Sequence, residues 1–207
     1  MEQRSEEWFN IRKGRVTGSS VGAILGVSPF VKSWDVMRRM VRDWHGAPSE
    51  FTGNIATEWG TRNEAGALIE YEMISGNTVT PCAFYQYEEW LGASPDGLVG
   101  DKGLVEIKCP FGIRNNKPPL FKTAKQQLHY YAQMQVQMFV SGREWCDFYQ
   151  WTPNGDSLER IELDTAFLST VLPVLKRFFT DYLEQREFPH AEKYLDGQEK
   201  QLQATQA

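Results

Sequence analysis

The sequence predicts a mixed α/β domain, a central β-sheet flanked by helices, on three observations. Apolar residues recur at helical spacing in the first and last thirds. Runs of β-branched and aromatic residues bounded by turn residues fill the middle. One strong helical run separates two groups of strands, as a crossover connection would. The 207 residues, 41% hydrophobic and 24% charged, suit a single domain over residues 1–190 followed by a polar tail over 191–207, where Gln, Lys and Glu replace apolar periodicity.

Taken in order, Thr17 can cap a short helix running to residue 25, ended by Gly26 and Pro29. Ser33 can cap a second, in which Trp34, Met37, Val41 and Trp44 share a face. Residues 46–56 carry loop-forming types, and a helix over 57–75 stops at Gly76. Residues 78–87 and 91–99 read as strands, and a third over 104–109 follows the turn Gly100-Asp101-Lys102-Gly103, which makes a hairpin. A helix over 123–141 ends before Gly142. Strands over 144–151 and up to 161, joined at Pro153-Asn154-Gly155-Asp156, lead to a last helix over 165–186.

Composition excludes several classes. No apolar run reaches the length of a bilayer span and the first residues are acidic and polar, so the expected location is cytoplasmic, with no membrane partner. Cys82, Cys109 and Cys146 lack ligand or disulfide spacing and are expected to be buried thiols. His45, His129 and His190 likewise show no ligand pattern. A net charge of −5 by itself argues, weakly, against a nucleic-acid partner, since binding phosphates leaves a basic footprint, yet Arg12, Lys13 and Arg15, then Lys32, Arg38, Arg39 and Arg42, and again Arg114, Lys117, Lys122 and Lys125 cluster locally. A basic groove on an acidic body and solvated helix faces both fit that distribution.

The chemistry-bearing segment is Ser94-Pro95-Asp96-Gly97 followed by Gly103-Leu104-Val105-Glu106-Ile107-Lys108. In a strand, Glu106 and Lys108 share one face while Val105 and Ile107 share the other. A hairpin closed at 100–103 places Asp96 within about one residue of the position facing Glu106, with Cβ atoms roughly 4.5–5.5 Å apart. Two such carboxylates need a cation between them. Oxygen donors with positions left for water and a phosphate suit Mg²⁺, or Mn²⁺, rather than zinc. Lys108 alongside would orient a water and offset transition-state charge, which is the equipment of phosphodiester hydrolysis. A surface hairpin with a solvent-facing Glu-x-Lys alternation is the structural alternative.

Pro-Asp, a spacer and Glu-x-Lys form the pattern of the PD-(D/E)xK nuclease superfamily. The fuller runs Ala93-Ser-Pro-Asp-Gly-Leu98 and Leu104-Val-Glu-Ile-Lys-Cys-Pro-Phe111 closely resemble the family of phage lambda exonuclease and YqaJ-type alkaline exonucleases. Glu7-Trp8 with Arg12 and Val16-Thr-Gly-Ser19, Trp59-Gly60 with Glu64, and Ala132-Gln-Met-Gln135 extend the likeness over roughly residues 6–145.

The resemblance implies a restriction-endonuclease-like core in which Asp96, Glu106 and the Ile107 carbonyl bind metal, Glu64 serves a second metal and Lys108 positions the water. It further implies that Gln133 holds the water or metal shell and that Arg12, Ser19 and Ser94 bind a terminal 5′-phosphate, a role suited to a guanidinium fork with hydroxyl donors. Arg114 is implied in DNA backbone contact. For Gln133 and Arg114, plain solvent-facing roles stay open at this point, and no residue between 47 and 57 is identified as a strand-separating wedge. The implied activity is a Mg²⁺-dependent 5′–3′ exodeoxyribonuclease acting on double-stranded DNA ends and releasing mononucleotides. A homotrimer and a single-strand annealing recombinase are the implied partners, in phage-type recombination. An endonuclease of the same superfamily, which would nick closed circles, and a catalytically silent DNA-binding module are the alternatives.

Overall fold

The computed structural model describes residues 3, 5–47 and 53–184, so the tail over 191–207 and part of the 46–56 loop, with Phe51, lie outside the described residues. In order, the elements are α1 (Glu6–Arg12), β1 (Val16–Thr17), α2 (Gly18–Ile24), α3 (Ser33–Trp44), α4 (Ile55–Ser75), β2 (Val79–Thr80), β3 (Tyr85–Tyr87) and β4 (Leu91–Ala93). There follow β5 (Gly97–Val99), β6 (Gly103–Lys108), α5 (Leu128–Ser141), β7 (Trp145–Thr152), β8 (Gly155–Glu162) and α6 (Thr165–Phe178), the last continuing as a π-helical turn over Phe179–Leu183. The mixed sheet and its helices match the expected fold class.

The strands form two sheets. A five-stranded sheet has the order β2-β5-β6-β7-β8, antiparallel except for β6 and β7, which run parallel because α5 is the crossover between them. A three-stranded sheet has the order β1-β4-β3. The expected strands over 78–87 and 91–99 are each split between these two sheets. Pro81 and Pro95 lie in the breaks, where a residue without an amide hydrogen cannot extend a ladder.

Helix ends follow local chemistry. Asn54 caps α4 through its side chain, accepting from the Ala56 and Thr57 amides, which starts that helix two residues before the expected position. Gly76 and Gly142 close α4 and α5 with φ of 69° and 67°, a conformation that glycine adopts without a steric penalty. Ser33 is the first residue of α3 rather than its cap. At the front of α5, Gln127 leaves helical geometry and its side chain reaches Lys122 and Gln150, so that helix begins at Leu128 instead of 123. The sequence reading had no element at α1, although Ser5 caps it and its charges run from Glu6 and Glu7 to Arg12.

Three apolar clusters hold the layers together. On one face of the large sheet Val99, Val105, Ile107 and Tyr149 meet Ala67 and Tyr71 of α4. On the other, Leu104, Cys146 and Phe148 meet Tyr131, Met134 and Met138 of α5. The far side of α5 presents Ala132 and Val136 to a third cluster built from α2, α3, α6 and Leu91. Helix α5 is therefore enclosed on both sides, and its glutamines need partners in the interior. At Gly22 an added Cβ would lie 2.5 Å from His129 Cβ, so α2 and α5 touch with no side chain between them.

Candidate active site

The β5–β6 hairpin pairs Val99 with Gly103, Leu98 with Leu104 and Gly97 with Val105. One step further in that register, Asp96 stands opposite Glu106. Asp96 Oδ2 accepts a hydrogen bond from the Ile107 amide at 2.7 Å, which ties the carboxylate to the partner strand. Glu106 is only 1% exposed, so the alternative of a solvent-facing Glu-x-Lys is overturned. Its Oε1 accepts from Lys108 Nζ and from Gln133 Nε2 (2.7 Å), and its Oε2 accepts from Gln137 Nε2 (2.7 Å). Lys108 Nζ lies 5.0 Å from the centre of the Tyr130 ring.

The electrostatics of this group are unbalanced. Burial, then the charge of Glu106, push Asp96 up to about 8; Glu64 adds to that push, while Lys108 and the Ile107 amide oppose it. Burial alone would lower Lys108, but Glu106 and Asp96 outweigh it and hold the ammonium above the ordinary lysine range. One cation thus serves two facing carboxylates, a deficit that a divalent ion would fill. A carboxylate offers about four lone-pair sites, so the Gln and Lys contacts on Glu106 leave it able to ligate. Among the described residues no three His, Cys, Asp or Glu side chains gather as a metal cage. The available donors are two carboxylates and backbone carbonyl oxygen, the open set that Mg²⁺ completes with water. Glu64, half-buried on α4, reaches this pair through its field and is not gathered into a close cluster with it.

A second group lies just upstream. Arg12 Nη2 donates to Ser19 Oγ (3.2 Å), and the guanidinium lies 4.0 Å from the centre of the Trp8 ring. Trp8 Nε1 in turn donates to Ser94 Oγ (2.7 Å), so Trp8 links the three residues expected to act together. Arg12, Lys13, Arg15, Arg39 and Ser19 line a cavity of about 600 Å³, which brings together basic residues from two of the sequence clusters. Burial, and then the charge of Arg39 beside it, lowers Arg12 to about 10, and the Asp43 carboxylate lines the same cavity. At Gly18, the first residue of α2, an added Cβ would sit 3.6 Å from Gln137 Cγ and 3.8 Å from Gln133 Cγ. The basic cavity and the supports of Glu106 are therefore adjacent.

A family model described as the YqaJ-like viral recombinase domain matches residues 7–144, a span that contains every side chain named above. The chain belongs to that family. Among solved structures, this YqaJ-family chain is 29% identical to the alkaline exonuclease LHK-Exo of Laribacter hongkongensis, with a TM-score of 0.71 over 96% of this chain and 100% of that one. Against LHK-Exo in complex with dAMP the identity is 30% and the TM-score 0.73, with the same coverage. A phage related exonuclease from Haemophilus somnus 129PT, 18% identical with a TM-score of 0.65 over 86% of this chain and 96% of that one, shares the fold. An uncharacterized protein of Acanthamoeba polyphaga mimivirus is 24% identical over 162 residues, 72% of this chain; the chain spans 29% of that relative's length.

In the YqaJ-family chain, Arg114 donates to the Phe111 carbonyl (2.7 Å) and lies 3.5 Å from the centre of the Phe111 ring, at one end of a group that includes Trp59. It stands apart from the Glu106 contacts. Gln135 serves structure: it donates to the Glu162 carbonyl (2.8 Å) and accepts from the Asp164 amide (2.7 Å). Gln137, which is not among the residues the sequence singles out, is a second support of Glu106. Its spacing of four from Gln133 was the available signal, since that spacing puts both amides on one helix face.

Proposed function

We propose that this chain is a Mg²⁺-dependent 5′–3′ exodeoxyribonuclease, with Mn²⁺ able to substitute, that degrades one strand of linear duplex DNA to mononucleotides. The observation that carries the proposal is Asp96 facing Glu106 with the Lys108 ammonium on the same group, beside the Arg12–Ser19 cavity. The homology to an alkaline exonuclease that is known in complex with dAMP supports it. The nuclease domain is taken as residues 1–190.

Asp96, Glu106 and the Ile107 carbonyl would hold the metal, with Glu64 serving a second. The ion supplies Lewis acidity to the phosphoryl group and the attacking water. Gln133 and Gln137 fix both oxygens of Glu106, so the carboxylate does not need to reorganise during the reaction. Lys108, kept protonated by its acidic neighbours, donates to the water and to the charge that develops on phosphorus. Arg12, Ser19 and Ser94 grip the terminal 5′-phosphate, and Arg114 contacts backbone phosphate. The water oxygen bonds to phosphorus as the P–O3′ bond breaks, the departing O3′ takes up a proton, and a 5′-mononucleotide leaves a new 5′-phosphate end.

Family membership supports the remaining parts of the proposal. The chain acts as a homotrimer, in which basic surfaces are gathered inward on an acidic body, and it hands its 3′ strand to a single-strand annealing recombinase in the cytoplasm of a phage host. A chain that stays monomeric at micromolar concentration would overturn the trimer. Among the described residues no helix is long and apolar enough to cross a membrane.

The test uses end-labelled linear duplex with Mg²⁺, comparing 5′-phosphate with 5′-hydroxyl ends and placing Asp96→Ala and Lys108→Ala beside the parent. Faster digestion of phosphorylated ends by the parent and none by the variants is expected. Parent-level digestion by Asp96→Ala would sink the metal assignment, and nicking of closed circles would favour an endonuclease.

A further inference from the structure

An aromatic path leads outward from the Lys108 site. Beyond Tyr130, whose ring faces Lys108, the His129 ring follows at 3.9 Å between centres, and Phe30 meets His129 edge-on at 5.4 Å. Phe30 is 73% exposed, and Val27 and Leu128 beside these rings are also exposed. Leaving that much apolar surface in water has a cost that folding alone does not require.

The loop does not present Phe30 by accident of slack. Gly22 O accepts from the Val27 and Ser28 amides (2.9 and 3.0 Å), and Ser28 Oγ accepts from the Phe30 and Val31 amides (3.2 and 3.3 Å). The same Gly22 packs directly on His129, so loop and helix are held as one unit. Burial, with Lys108 nearby, lowers His129 from its ordinary value, which favours the uncharged ring.

We infer that Phe30, His129 and Tyr130 form a stacking platform for nucleobases of the strand being degraded. The inference rests on the nuclease reading above. Cationic groups that track phosphates, interleaved with rings that accept any base face, are how proteins hold single-stranded nucleic acid without reading its sequence. Here the ammonium of Lys108 and the ring of Tyr130 lie side by side, so a strand with its phosphate at Lys108 has its bases over the path that ends at Phe30.

The test is single-turnover cleavage of a 5′-phosphorylated duplex with an abasic residue placed at each of the first three 5′ positions in turn, for the parent, Phe30→Ala and Phe30→Trp. In the parent, one abasic position is expected to slow cleavage by about tenfold. Phe30→Ala should slow the intact duplex by about as much and show no further slowing at that abasic position, while Phe30→Trp stays near the parent. The exposed position makes a change in thermal midpoint unexpected. Parent-rate cleavage by Phe30→Ala, or losses from variant and abasic site that multiply in full, would overturn the platform. If the parent cleaves nothing, the nuclease reading fails instead. The platform is then decided by fluorescence of a 2-aminopurine single strand in Ca²⁺: quenching by the parent that Phe30→Ala abolishes supports it, and equal fluorescence with both overturns it.

Discussion

Two buried acids on neighbouring strands are treated in opposite ways. Asp147 on β7, 2% exposed, faces α4: Arg160 grips it through two nitrogens at 2.8 and 2.9 Å, Tyr71 donates at 2.7 Å, and Arg160 itself lies 3.6 Å from the centre of the Trp145 ring. Glu106 on β6, 1% exposed, faces α5, where it shares one lysine with Asp96 and is otherwise held by neutral amides. The first acid has a dedicated cation that bonds both of its oxygens. The second belongs to a group whose negative charge exceeds its positive charge. An ion pair balanced in charge fastens layers together, whereas a group with excess buried negative charge is a candidate place for a cation.

The largest effect that could break this contrast is on turnover. Asp96→Ala and Lys108→Ala are expected to lower hydrolysis by about a thousandfold or more. Lys108→Ala, which strips the cation from buried Glu106, should lower the urea midpoint, while Asp96→Ala, which removes one of two facing carboxylates, should leave it near or above the parent's. Asp147→Ala should do the reverse: a loss of about 1–3 kcal/mol in urea unfolding, because the buried Tyr71 hydroxyl loses its acceptor while half-exposed Arg160 is solvated instead, with turnover per folded molecule close to normal. If Asp147→Ala instead abolished turnover without unfolding, the two acids would not be separable in this way. A smaller effect sharpens the role of the amides. Gln137→Leu removes one donor from Glu106 and is expected to lower kcat about 10–100-fold with little change in KM.

The pH response should be smaller again. Asp96 is held at about 8, above the usual carboxylate range, first by burial and then by Glu106. Between the ordinary carboxylate value and about 8 the folded chain therefore binds more protons than the unfolded chain, so this group makes stability fall as pH rises through that window. In EDTA the thermal midpoint should drop from pH 5 to pH 8 more for the parent than for Asp96→Asn. Excess Mg²⁺ should restore the parent at pH 8 and do less at pH 5. A midpoint that rises with pH in EDTA relative to Asp96→Asn would contradict the placement of Asp96.

The hairpin was legible because two local rules agreed: alternation put Glu106 and Lys108 on one face, and the turn length set Asp96 opposite Glu106. The break points at Pro81 and Pro95 were also in the sequence but lost to the β-branched and aromatic residues around them. Gln137 was hidden for a different reason. A helix enclosed on both sides shows no polar stripe, so Gln133, Gln135 and Gln137 look equivalent until the neighbouring strand and loop show which amide meets Glu106 and which meets Glu162. Arg12, Ser19 and Ser94 were placed by family resemblance, and no spacing rule could have shown that Trp8 joins them.

The bare contact at Gly22 has a consequence for the geometry of the site. One helix of that pair begins beside Arg12 and Ser19, and the other carries the amides that hold Glu106. The missing methyl group thus lets α2 seat directly on α5 and fixes the spacing of the side chains the two helices carry. Gly22→Ala, whose methyl would meet His129 Cβ and Cα at 2.5 and 2.8 Å, is expected to lower the urea midpoint and slow hydrolysis together, and a variant with parent-level stability and rate would show that the contact has slack.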